Sequence, residues 1–179
     1  ELINLLLPEK NRNLFMVGDD FQSIYKFRGA HVQYFVNIRS FFSEVKIMML
    51  VTNYRSKKEI VDISNKFIKN NKSQTKKRIK SHRGKGGTVL FHKTENAIEE
   101  IEVIKSIISN CDSTDDIAIL YRNNYQGDFI QRNINCSGKV KFMTMHSSKG
   151  LEFDTVIIAG VNDKIIPDKG SDIEEERRL

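Results

Sequence analysis

The chain predicts an α/β fold in which a parallel sheet carries helices on both faces. Two observations support this. Apolar runs of four to eight residues, rich in β-branched and long aliphatic side chains, recur at Leu14–Val17, Val45–Val51, Thr88–Phe91, Ile117–Tyr121, Val140–Met145 and Thr155–Val161. Runs of that length and composition suit strands buried in a parallel sheet. Between them, Lys57–Asn70 and Asn96–Asn110 are amphipathic at helical spacing, with Ile60, Ile63, Ser64 and Phe67 on one face of the first and Ile101, Ile104, Ile107 and Ile108 on one face of the second. Strands alternating with helices of this length require right-handed crossovers.

Taken in order, Leu14–Val17 is the first strand and ends at Gly18, where a dense polar block begins. Ser56, followed three residues later by Glu59, reads as a capping box for the first long helix, and Thr94 as the cap of the second. Pro8 and Pro167, the two prolines, fall in loops or at element ends, where a missing N–H is tolerated. A boundary between folding units is expected near Phe41–Glu44, dividing the chain into 1–43 and 44–179. Gly84–Gly87 reads as a hinge-like loop inside the second unit. No internal repeat is found.

At 179 residues and 39% hydrophobic, the chain can bury one core together with a piece of a neighbouring domain. Cys111 and Cys136 are too few for a disulfide framework and lie in no metal-ligand spacing, so a reducing, cytoplasmic location and no metal site are expected. No apolar run approaches the roughly 20 residues a membrane-spanning helix needs. The start at Glu1–Asn4 and the end at Glu174–Leu179, inside an apparent helix, read as cuts, so the chain is expected to be a fragment. The net charge of +6 favours polyanionic partners. Between Lys72 and Lys85 every charged residue is basic, and two readings stand: a solvated loop or a nucleic-acid contact.

Ligands of open α/β sheets sit at the carboxyl ends of strands, and two polar blocks, the one after Gly18 and a second at Thr144–Asp154, begin there. Gln22 offers a neutral amide able to donate to a phosphate oxygen or orient a water. Asp19-Asp20 is only a weak metal-pair signal, and no metal is assigned to it. Tyr25 and Phe27 alternate with Lys26 and Arg28, a pattern suited to stacking a base while neutralising its phosphate; the alternative is that one ring packs in the core. In Asn53-Tyr54-Arg55-Ser56, the arginine could stabilise charge on a transferred phosphoryl group, and the tyrosine offers a flat face to a nucleobase. Lys149-Gly150 is the tail of a phosphate-loop pattern, but the full Gly-x-x-x-x-Gly-Lys-Ser/Thr is absent, so the chain alone is not expected to hydrolyse a nucleoside triphosphate. His146 has no nucleophile elbow near it, which excludes a hydrolase triad.

Four blocks in fixed order carry a resemblance: Gly18-Asp19-Asp20-x-Gln22-Ser23-Ile24-Tyr25-x-Phe27-Arg28-Gly29-Ala30, then Asn53-Tyr54-Arg55-Ser56, then Thr144-Met145-His146-x-x-Lys149-Gly150-Leu151-Glu152-Phe153, then Glu174-Glu175-Glu176-Arg177-Arg178-Leu179. Together they resemble the UvrD/PcrA/Rep-like superfamily 1 DNA helicases, from motif III to the start of motif VI. The resemblance implies a RecA-like sheet without its phosphate loop, 1–43 closing a first such domain and 44–179 forming the second. It implies that Gln22 senses the γ-phosphate, Tyr54 stacks on adenine, Arg55 reaches the γ-phosphate, and Glu152 binds the ribose beside Lys149 and Gly150. Tyr25, Phe27, Arg28, Thr144 and His146 would line a single-strand track.

The same resemblance implies ATP as fuel, with the Mg2+ ligands outside this chain, and 3′ to 5′ movement on DNA with duplex unwinding. It also implies a first RecA-like domain in cis and a monomeric or weakly associating protein. Phe27 stands where many relatives carry tryptophan and Lys26 where glycine is frequent. Only Asn123–Lys139 occupies the place of a large helical insertion found in many relatives. Two other readings are an RNA polymerase-remodelling ATPase of HelD type and a nucleotide-binding domain without motor function.

Overall fold

A computed structural model of the protein describes residues 5–8, 13–136, 138–163 and 165–179; Glu1–Asn4, read above as a cut end, lie outside the described residues. Two parallel sheets form among the described residues. The smaller pairs β1 (Thr52–Asn53) with β2 (Lys80–Ser81), and the larger has the order β4-β3-β5, with β3 (Ile117–Tyr121) between β4 (Val140–Thr144) and β5 (Thr155–Ile158). Ile119 of β3 is opposite Phe142 on one side and Ile157 on the other. The α-helices are α1 (Gln33–Val36), α2 (Ile38–Phe41), α3 (Lys58–Ile68), α4 (Ala97–Asn110), α5 (Asn124–Asn133) and α6 (Ile173–Glu176). The fold class is therefore the parallel α/β arrangement the pattern predicts. No helix among the described residues is long and apolar enough to cross a membrane.

The core forms where β3 meets α4 and α5. Alternation along β3 puts Ile119 and Tyr121 on one face, and there they join Ile101 and Ile104 of α4, Ile130 of α5, Ile134 and Ala159. Ile108, Cys136, Val140, Phe142 and Ile157 pack against this cluster. The stripe read on α4 is thus the buried one. On α3 the expected face is not: Val61 and Ile68 are buried while Ile60, Ile63 and Phe67 are exposed. The reason is polar. Asn65, one turn from Val61 on the same side, donates to the Ile79 carbonyl and accepts the Ile79 amide, so the chain entering β2 chooses the packed face.

Three expected strands form no ladder: Leu14–Val17, Val45–Val51 and Thr88–Phe91. Phe15, Leu50 and Phe91 are 81%, 83% and 87% exposed. Apolar content fits a segment for a sheet, but a ladder also needs a neighbour about 4.8 Å away along its length; Val45–Val51 meets β2 at its last residue, where the Val51 carbonyl accepts the Lys80 amide, and no ladder extends back from there.

Two caps differ as well. Asn96, directly before the first turn of α4, accepts from the Ile98 and Glu99 amides in place of Thr94. At α3 the N-cap is Lys57, without a side-chain bond. The donor and the acceptor of the box's return bond are engaged elsewhere: the Ser56 amide donates to Asn53 Oδ1, and the Glu59 carboxylate accepts from Gly86 and Gly87. Those bonds hold the Glu59 carboxyl below its ordinary value and tie the glycine loop to α3.

Helix α5 was not read from the sequence. Its start is a full capping box between Asn123 and Gln126. Gly127 weakens its intrinsic helix preference, but a Cβ there would come within 2.2 Å of the Tyr121 ring. The glycine lets α5 lie against β3.

Candidate functional site

The block after Gly18 folds into two single 3-10 turns, Asp20–Gln22 and Lys26–Arg28. Asp19 caps the first by accepting the Phe21 amide. Its other carboxylate oxygen accepts Gln22 Nε2 at 2.6 Å. Asp20 turns inward and is buried, accepting Thr75 N at 2.6 Å, Thr75 Oγ1 at 2.9 Å and Lys77 Nζ at 2.7 Å. Burial pushes its carboxyl up, but the Lys77 ammonium and the Thr75 donors outweigh that and hold it below 3.8. Lys77 thus departs from both readings of the basic stretch, since it is bound inside the protein.

The second turn carries the aromatic and basic alternation. Tyr25 donates to the His146 carbonyl at 3.4 Å across 121 residues. The Phe27 ring meets the His146 ring edge-on at 5.7 Å and the Tyr25 ring at 6.1 Å. The Arg28 guanidinium lies 5.4 Å from both the Tyr25 and Phe27 rings, and Lys149 Nζ lies 4.8 Å from Tyr25. Phe27 is 68% exposed, so it is not a core residue. Thr144, at the end of β4, accepts the Ser147 amide and exchanges a hydroxyl hydrogen bond with Ser147, shaping the turn that presents His146. Burial pushes the His146 imidazole below 6.5, with Arg122 and Arg28 acting in the same sense and Glu176 and Glu175 against it.

The residues expected at a nucleotide fall into two contacts joined by one loop. Lys149 Nζ donates to the Gln22 carbonyl at 2.9 Å, and three residues on, Glu152 accepts Arg55 Nε at 2.8 Å. Gly150, between them, has φ +89°, a left-handed conformation that glycine adopts without strain. Tyr54 is exposed and faces His82, ring centroids 4.8 Å apart. Asn53 Oδ1 accepts the Arg55 and Ser56 amides and so fixes the tight turn from which Tyr54 and Arg55 project. The loop 144–152 therefore touches both the aromatic cluster and the Arg55 side.

Comparison with known families settles what this chain is similar to. Residues 48–138 and 130–179 match the UvrD-like helicase C-terminal domain, and residues 1–43 match the UvrD/REP helicase N-terminal domain. The chain belongs to the UvrD-like helicase family. Among its relatives are the ATP-dependent DNA helicase PcrA of Bacillus subtilis (strain 168), 30% identical over 171 residues, and the ATP-dependent DNA helicase Rep of Buchnera aphidicola subsp. Schizaphis graminum (strain Sg), 38% identical over 137. These alignments cover 89% and 74% of this chain but only 23% and 21% of the relatives. A PcrA of Leuconostoc citreum is 32% identical over 134 residues, 72% of this chain and 18% of the relative. The chain spans about a fifth of the length of the curated relatives it matches.

In this UvrD-like chain several residues that hold the site together are ones to which sequence reasoning assigned no role. On α6, Glu175 accepts the Lys26 amide at 2.8 Å, and Glu176 takes two bonds from the Arg122 guanidinium. Asp172 pairs with Lys26 Nζ at 2.6 Å, which lowers its own carboxyl and raises the lysine. Glu174 accepts the Lys72 and Ser73 amides, and Asn71 donates to the Glu174 carbonyl. Sequence reasoning put the Glu174-Glu175-Glu176 run inside a helix, whereas it forms the first turn after the Asp172 cap, where acids are favoured. Nothing local tells that its carboxylates bind three separate loops.

Proposed function

We propose that this chain supplies the second RecA-like domain, residues 44–179, and the last segment of the first, residues 1–43, of an ATP-dependent DNA helicase. The protein would move 3′ to 5′ along single-stranded DNA and unwind duplex. The observation that carries the reading is the cluster of exposed Phe27 and Arg28 with half-buried Tyr25 and His146, assembled from both ends of the chain and joined by the loop 144–152 to Gln22 and Arg55. Exposed rings beside cations suit stacked bases and their phosphates, because every base presents a π-face and every phosphate a negative charge.

ATP fits the residues present. Lys149 and Arg55 supply cations, Tyr54 an exposed ring, Glu152 a carboxylate able to accept from ribose hydroxyls, and Gln22 an amide at the opposite wall. Hydrolysis of ATP, with Mg2+ held outside this chain, supplies the free energy for movement. The chain's own residues bind and orient: Arg55 offsets phosphate charge from one wall, Gln22 reads the terminal phosphate from the other, and Tyr25 and Phe27 grip bases.

The test is ATP turnover by the full-length protein with and without single-stranded DNA. Stimulation by single strands, together with no turnover by the 179-residue chain alone, is the expected result. Turnover indifferent to single strands would leave only a nucleotide-binding domain, and hydrolysis by the isolated chain would refute the division of the site.

A further inference from the structure

Lys77 is the one member of its basic stretch whose ammonium is shared by two carboxylates. Its side chain is 9% exposed, its Nζ lies 2.6 Å from Asp19 Oδ1 and 2.7 Å from Asp20 Oδ1, and it sits 4.2 Å from the centre of the Phe21 ring. Asp19 spends its second oxygen on Gln22 Nε2. A carboxylate only accepts, so this bond fixes which end of the Gln22 amide faces Asp19: the NH2 turns toward it and Oε1 away. An ammonium on the same carboxylate holds it in place, so that its other oxygen stays aimed at the amide.

From this geometry we infer that Lys77 is a positioning residue of the nucleotide site, setting through Asp19 the direction in which Gln22 presents its amide. The inference rests on the reading above that Gln22 serves the nucleotide. Its consequence is a link between the two halves of the chain. Lys77 stands 58 residues beyond Asp19, inside 44–179, whereas Asp19 and Gln22 lie inside 1–43. Thr75 holds the same loop to Asp20 through its amide and hydroxyl, so the reach of Lys77 is set by a second anchor two residues away. Gln22 is therefore aimed only while the basic loop of the second unit is docked. Moving that loop away would free Asp19 and with it the amide.

A purely structural tie between Lys77 and Asp20 would make a different prediction, and a double-mutant cycle separates the two. The protein is the full-length helicase with single-stranded DNA, and single-turnover rates keep residual activity measurable. Lys77→Met retains the apolar stem and removes the charge. It should lower kcat about 10- to 100-fold, the range expected when a catalytic group is misaimed, with KM for ATP changed less than about 3-fold. In a Gln22→Ala background the same substitution should cause no further loss. Full kcat in Lys77→Met, or a loss that simply multiplies with that of Gln22→Ala, overturns the inference while leaving the site reading intact. Full activity of Gln22→Ala alone instead sinks the site reading. Where Lys77→Met fails to fold because Asp20 is left buried and unpaired, Lys77→Met with Asp20→Asn relieves that charge while still unbridging Asp19, and the same cycle decides.

Discussion

The Arg55 guanidinium donates through Nε to a Glu152 carboxylate oxygen at 2.8 Å, joining the turn after β1 to the loop after β4 across 97 residues. Both side chains are more than half exposed. Such a pair contributes only about 0 to 1 kcal/mol to stability, and a phosphate can compete for the guanidinium without unfolding anything.

That small value makes the first prediction sharp. In the full-length protein, Arg55→Ala should lower ATP turnover by about 10³-fold or more, the scale of a lost arginine on a transferred phosphoryl group. Its unfolding free energy from urea titration should change by less than about 1 kcal/mol. Turnover and denaturation measured on one preparation check both, and normal turnover removes Arg55 from the site.

Phe27→Ala should weaken single-strand binding by about 1 to 3 kcal/mol, the measured range for one stacked base. Fluorescence anisotropy with a labelled oligothymidylate reads this directly. Because the ring is largely exposed, thermal stability should hardly change, and Phe27→Trp should bind at least as well as the parent. Unaltered affinity in the alanine variant would show that no base rests on Phe27.

Asp20 sets an acid limit to stability. Its folded pKa lies below 3.8, so its contribution is present above the unfolded pKa and disappears as pH falls through the lowered folded value. Lys77 has the opposite sign: burial pulls it down, but its bonds to Asp19 and Asp20 raise it above 10.5, so its contribution is present below that value and lost as pH rises through the folded one. Asp20→Asn should therefore cost about 1.5 to 3 kcal/mol at pH 7, as for loss of hydrogen bonds to a charged group. The gap to the parent should close below about pH 4. Urea titrations at pH 7 and pH 3 test this, and a gap of equal size at both would mean that the Asp20 charge adds no stability.

Packing makes a further prediction at Gly127. A Cβ there meets the buried Tyr121 ring at 2.2 Å, and the ring has no exposed side to retreat to. Gly127→Ala should destabilise by about 1 to 3 kcal/mol through overpacking, although alanine is the better helix former. Ile104→Ala, which empties a position in the same core, should cost about 2 to 5 kcal/mol. A neutral or stabilising Gly127→Ala would mean that α5 can slide away from β3.

Parts of the fold were legible because their signals are local. The run Ile117–Tyr121 is both apolar and β-branched, and it became the central strand; Ile101 and Ile104, three residues apart, became the buried stripe of α4. Leu14–Val17 and Thr88–Phe91 carry the same signal and form no ladder, since pairing is a property of two segments and a run of residues specifies only one. Helix α5 escaped notice because Gly127 breaks its local preference for a reason, the approach of Tyr121, that lies in another element.

By itself the sequence determined the fold class, the strands β3, β4 and β5, the helix α4 and the four blocks that place the chain in the UvrD-like family, all of them written in periodicity and spacing along one dimension. Tertiary structure alone decided that Lys77, one of a run of similar cations, is the one drawn onto Asp19 and Asp20, that Glu175 holds the Lys26 turn, and that Tyr54 meets His82. The physical reason is reach. A charge or a ring acts over a few ångströms, and which partner stands within that distance depends on how elements tens of residues apart are packed.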